Sequence, residues 1–162
     1  MIISNLNEMR DFANEFAALL KDNDVINLIG DMGAGKTTLI NFIAEYFSIN
    51  DSSSPTFAIV NIYEGDKTIY HLDLYRLDDP DELLELDYET YFYPENAITF
   101  LEWAENGAGF LPNDMINVEI SKVDTNTREI KILDDTKRGQ EINEYFSNWH
   151  LNYDFYCDYC KW

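Results

Sequence analysis

Positive charge is scarce in this chain. Eleven Lys and Arg stand against 31 Asp and Glu over 162 residues, a formal net charge of −20. Such a surface repels nucleic-acid phosphates and anionic membranes, so any contact with RNA is expected to run through a basic partner. Cysteine is nearly absent. Cys157 and Cys160 lie three apart near the end, which excludes a secreted disulfide framework. A lone C-x-x-C also lacks the second pair that a four-ligand zinc site wants and the pattern that surrounds a redox pair. No run approaches the ~20 apolar residues of a membrane-spanning helix. The first twenty residues carry Glu8, Arg10, Asp11 and Glu15, where a signal peptide needs an unbroken apolar stretch. These absences predict a cytoplasmic chain. There is no internal repeat and no linker, and 46% hydrophobic content suits one globular domain.

What is present is a phosphate-binding pattern. Gly30-Asp31-Met32-Gly33-Ala34-Gly35-Lys36-Thr37 reads G-x-x-x-x-G-K-[ST]. The glycines let backbone N–H groups face phosphate oxygens, Lys36 reaches the β and γ phosphates, and the Thr37 hydroxyl is placed to ligate Mg²⁺. The flanks agree with it. Val25-Ile26-Asn27-Leu28-Ile29 is a β-branched run ending at Gly30. Leu39, Ile40, Ile43 and Phe47, after Thr38, recur near the helical period.

The remaining pattern fills in an α/β chain. Asn5 with Glu8 resembles a capping box, and the apolar face of Met9, Phe12, Phe16, Leu19 and Leu20 predicts a helix over 6–21. Residues 48–55 read as a loop. Residues 56–63 and 67–75 read as a hairpin around Glu64-Gly65-Asp66. Asp79 and Pro80 predict a helix cap and first turn. Ala97–Leu101 reads as a buried strand ending at Glu102. A second hairpin is expected over 115–122 and 127–133, and a helix over 137–149. The expected fold is a P-loop three-layer α/β sandwich with a mixed, partly parallel central sheet, because hairpins require antiparallel pairs. Residues 1–149 read as the P-loop domain and 150–162 as an aromatic tail.

A P-loop site also needs a carboxylate at a neighbouring strand end, to hold the metal or its water or to orient the attacking water. Glu102 and Asp73 are the candidates. Thr56, in Ser54-Pro55-Thr56, offers a loop hydroxyl of the kind that senses a γ phosphate. Trp103 is open to two readings, a stacking platform for adenine or a core residue. His71 reads as a packed or hydrogen-bonded histidine rather than a catalyst. Arg76 reads as an ion-pair partner of the nearby acids.

Together these segments resemble the TsaE family, small bacterial ATPases needed to make threonylcarbamoyladenosine in tRNA. The resemblance rests on Gly30–Thr38, on Ser54-Pro55-Thr56-Phe57, on Tyr70-His71-Leu72-Asp73-Leu74-Tyr75-Arg76-Leu77 and on Phe100-Leu101-Glu102-Trp103. Order and spacing agree over roughly residues 5 to 135. Met32 replaces the Leu common in the family, a volume-conserving swap. The resemblance implies ATP and Mg²⁺ as cofactors and Asp31, Met32, Gly33, Ala34, Gly35, Lys36, Thr37 and Thr38 as the phosphate loop. It implies Thr56 on the γ-phosphate side and Trp103 near the nucleotide. Thr37 and Glu102 would serve the metal or its water, while Asp73 would orient or activate the hydrolytic water. The two acids could exchange these parts. It also implies a TsaD–TsaB protein pair as partner, with tRNA met only indirectly and no membrane.

Two other readings compete. A small-molecule kinase needs an acceptor pocket and arginine-bearing lids to screen phosphate charge, but the only arginines are Arg10, Arg76, Arg128 and Arg138. A nucleotide sensor that does not turn over would have little use for two strand-end acids. A GTPase would carry N-K-x-D, and Thr136-Lys137-Arg138-Gly139 lacks its acid.

Overall fold

The computed structural model describes residues 1–49, 59–147 and 149. Among the described residues seven strands form one sheet: β1 (Ile2–Ile3), β2 (Val25–Ile29), β3 (Val60–Glu64), β4 (Thr68–Asp73), β5 (Ala97–Glu102), β6 (Ile116–Lys122) and β7 (Arg128–Ile132). Their order is β1-β7-β6-β2-β5-β4-β3. The four inner strands β6, β2, β5 and β4 run parallel, and antiparallel pairs close both edges. The mixed sheet expected from the two hairpins is the one observed.

Helices α1 (Leu6–Leu19), α2 (Lys36–Tyr46) and α4 (Lys137–Ser147) cover one face, and α3 (Tyr88–Phe92) lies with short 3-10 segments on the other. Strand alternation divides the core between these layers. Ile26, Leu28, Ile98 and Phe100 pack under α1 and α2, while Val25, Leu72 and Leu101 join Leu74, Leu83 and Phe92 on the opposite side. An aromatic cluster seats α1 against α4. The Phe12 ring lies 5.7 Å from Phe16, 4.9 Å from Phe146 and 6.2 Å from Trp149.

Local chemistry sets the element ends. Asn5 Oδ1 accepts the Asn7 and Glu8 N–H groups at the start of α1. The Glu8 carboxylate answers by accepting the Ser4 N–H at 2.7 Å, one residue earlier than in a standard capping box. The expected strand 67–75 stops at Asp73, whose side chain caps a 3-10 turn over Leu74–Arg76. The helix expected after Asp79 has its predicted cap, which with Glu82 completes a capping box, and its Pro80, but it is a 3-10 helix over Pro80–Leu86. Leu83 and Leu86 sit three apart, the repeat of a 3-10 turn, and both face the second core while Leu84 is exposed. Asp87, at φ +51°, breaks the run before α3. Thr56 and the rest of Ser54–Phe57 lie outside the described residues, as do Cys157, Cys160 and the tail. Among the described residues no helix is long and apolar enough to cross a membrane.

Candidate phosphate-binding site

The phosphate loop joins β2 to α2 at the carboxyl ends of the parallel strands. Gly30 permits the crossing. A Cβ there would lie 2.3 Å from the carbonyl oxygen of Ile120 on β6. Gly35 turns the chain into α2 at φ +113°, a conformation that side chains resist, and α2 begins with no side-chain cap. Its first N–H groups are therefore left for a ligand to satisfy.

Lys36 heads α2 yet is only 5% exposed. Its Nζ donates to the carbonyls of Gly30 at 2.6 Å and Asp31 at 3.2 Å. It also lies 3.8 Å from the Glu102 carboxylate and 4.8 Å from the centre of the Trp103 ring. Glu102 ends β5 and is buried. Its Oε1 accepts from the Thr37 hydroxyl at 3.2 Å and sits 2.9 Å from His71 Nε2. Asp73 ends β4 directly beside Glu102 in the parallel register. Its Oδ1 accepts the Tyr75 N–H at 3.1 Å, which fixes the carboxylate at the strand end.

The loop and these strand ends enclose a cleft of about 320 Å³. Met32, Gly33, Gly35, Lys36, Thr37, Thr38, Asp73, Glu102 and Trp103 all line it, so most of the described residues singled out from the sequence meet in one place. Asp31 enters through its carbonyl, and Ala34 is buried in the loop. Trp103 takes a left-handed backbone at φ +58° and packs on Tyr75, ring centres 5.1 Å apart.

Two features were not legible in sequence. Arg128, on β7, donates through Nε to the Ala34 carbonyl at 2.7 Å and lines the cleft. The arginine thus ties a distant hairpin to the phosphate loop, and no local motif marks it. A second cavity of about 520 Å³ lies between the start of α1 and the β6–β7 turn. Gly35, Thr38 and Arg128 line both spaces. In that turn the Asn126 and Thr127 N–H groups donate to Asp124 and hold its carboxyl below the usual aspartate range.

A Gly-rich loop between a parallel strand and a helix, with acids on the neighbouring strand ends, defines a P-loop α/β protein. Residues 3–130 match the family model described as threonylcarbamoyl adenosine biosynthesis protein TsaE. The chain belongs to the TsaE family. It is 39% identical over 148 residues to the tRNA threonylcarbamoyladenosine biosynthesis protein TsaE of Rickettsia bellii, covering 89% of this chain and 94% of the relative. It is 37% identical over 147 residues to that of Haemophilus influenzae, covering 86% and 92%. The crystal structure of Bacillus subtilis YdiB superposes with a TM-score of 0.76 at 29% identity, covering 93% of this chain and 94% of that one.

Proposed function

We propose that this chain is a Mg²⁺-dependent ATPase subunit in the synthesis of threonylcarbamoyladenosine in tRNA, working with a TsaD–TsaB pair. The observation that carries the reading is the convergence of Lys36, Thr37 and Glu102 at the mouth of the phosphate loop. The names of the relatives supply the pathway.

The donor set fits Mg²⁺. A hydroxyl and a carboxylate 3.2 Å apart are hard oxygen ligands, and Mg²⁺ is commonly held by one or two such groups plus substrate phosphates. When bound, Mg²⁺ neutralises charge on the β and γ oxygens. Thr37 and Glu102 would hold the metal and its water. Lys36 would exchange the Gly30 and Asp31 carbonyls for phosphate oxygens. Asp73, beside Glu102, would orient the attacking water, with Thr56 on the γ-phosphate side. Because its ring sits 4.8 Å from the Lys36 ammonium, this reading gives Trp103 the phosphate end rather than the base. The adenosine then belongs in the 520 Å³ cavity that shares Gly35 and Thr38 with the cleft.

The test measures ATP hydrolysis with and without a TsaD–TsaB pair, alongside modified tRNA over many turnovers. Repeated product formation that requires hydrolysis by this chain supports the reading. Absence of any effect of the pair, with phosphate moving instead to a small acceptor, overturns it in favour of a kinase.

A further inference from the structure

Glu102 is one member of a buried polar chain. The Tyr63 hydroxyl lies 3.4 Å from His71 Nδ1, His71 Nε2 lies 2.9 Å from Glu102 Oε1, and the same oxygen accepts from Thr37. Tyr63, His71 and Glu102 are 5%, 3% and 6% exposed. Three adjacent strands supply them, β3, β4 and β5. On β4 His71 stands two residues before Asp73, the register partner of Glu102. The phosphate loop uses Glu102 and Thr37 directly. Nothing in the reading above uses His71 or Tyr63.

Between a carboxylate and a neutral imidazole the chain has one consistent arrangement. A carboxylate only accepts, so the hydrogen facing Glu102 must be on Nε2. A neutral imidazole then presents Nδ1 as an acceptor, and Tyr63 O–H is the donor beside it. With the hydrogen on Nδ1 instead, a nitrogen lone pair would face a carboxylate oxygen at 2.9 Å. The His71–Glu102 contact has ordinary hydrogen-bond length, whereas the Tyr63 contact is long, so the carboxylate is the stronger constraint on the ring.

We propose that His71 is a positioning residue, holding Glu102 against the phosphate loop through its Nε2–H while the Tyr63 hydroxyl donates to Nδ1. The proposal rests on the reading of Glu102 as the acid on the metal side. Its consequence is that the Thr37 hydroxyl can turn from Glu102 to another partner without releasing the carboxylate, because Oε1 keeps its second donor. Partners behind a ligating group orient it, and their loss characteristically lowers metal affinity or activity.

The direct test needs no nucleotide. Long-range ¹H–¹⁵N correlation spectra of the full chain with ¹⁵N-histidine report which ring nitrogen carries hydrogen. The chain has two histidines, so a His150→Gln variant assigns the signals. His71 is expected as the Nε2–H tautomer at neutral pH, and Tyr63→Phe is expected to shift the Nδ1 resonance while Glu102 keeps the hydrogen on Nε2. An Nδ1–H ring in the native protein overturns the proposal, and so does an Nδ1 resonance untouched by Tyr63→Phe. The second test is MgATP turnover. His71→Ala should lower kcat by about 10- to 100-fold with KM for ATP within about 2-fold, and His71→Gln, which keeps a donor near the Nε2 position, should recover much of it. Full kcat in His71→Ala, or no advantage of Gln over Ala, overturns the proposal. Should His71→Ala fail to fold, the tautomer and the Gln variant still decide. Unimpaired turnover in Glu102→Ala would instead sink the functional reading of the acid while leaving the tautomer result in place.

Discussion

Lys36 has little access to water, and a desolvated ammonium is tolerable only with partners. Two loop carbonyls, the Glu102 carboxylate and the Trp103 face supply them. A phosphate can therefore take over hydrogen bonds that Lys36 already makes, while Glu102 keeps the charge from standing alone. Lys36→Ala should weaken ATP binding by about 10- to 100-fold, the range for a lost charge-assisted hydrogen bond, as read by calorimetry. Glu102→Ala and Asp73→Ala should instead lower kcat with smaller effects on affinity. An acid variant with near-normal kcat leaves the mechanism. These residues were legible in sequence because they sit in short motifs next to strand or loop signals. His71 and Glu102 were not legible as partners. Their contact spans 31 residues and depends on the β4–β5 register, which no local pattern states. Arg128 lies 94 residues from Ala34 and was hidden for the same reason.

At the scale of elements, periodicity carried the long helices and the hairpins. It missed β1, whose two residues are too few to show alternation and which exists by pairing with β7. It misjudged 80–86 because a cap and a proline mark a helical start without saying which helix follows. The seat of α4 also escaped it. Arg138 reaches from α4 to Asp24, just ahead of β2, with Nε and one terminal nitrogen each 2.9 Å from a carboxylate oxygen. The same terminal nitrogen donates to the Leu19 carbonyl at the end of α1. The hydrogen bond to Asp24 raises the Arg138 pKa, and both side chains are mostly buried. Removing Asp24 leaves this guanidinium only the more exposed Glu141, at 2.9 Å, as a counter-ion. Asp24→Ala should cost about 3 kcal/mol, measured by urea unfolding. The loss should come without a change in ATP affinity, because Asp24 lines neither cavity at the phosphate loop.

The whole molecule carries a charge of −20, and many of its few basic residues are already paired with acids. Arg10, Lys21, Lys67, Lys131 and Arg138 each lie within salt-bridge distance of an Asp or Glu. Lys36 is buried in the phosphate loop, and Arg128 is held by backbone carbonyls beside it. A protein in a tRNA-modifying family would thus meet tRNA with its cations largely committed elsewhere. Phosphate contacts supply most non-specific affinity, and they are strongest at low salt. The chain alone should therefore retain no tRNA on a filter even at about 0.05 M salt, where a basic protein binds most tightly. Retention should appear only when a TsaD–TsaB pair is added. Salt-sensitive tRNA binding by the chain alone would show that a local basic surface overrides the net field, and the indirect arrangement proposed here would fall. The same charge favours docking on a basic protein face. Association with the pair should consequently slow as ionic strength rises past the point where the Debye length shrinks to about 10 Å.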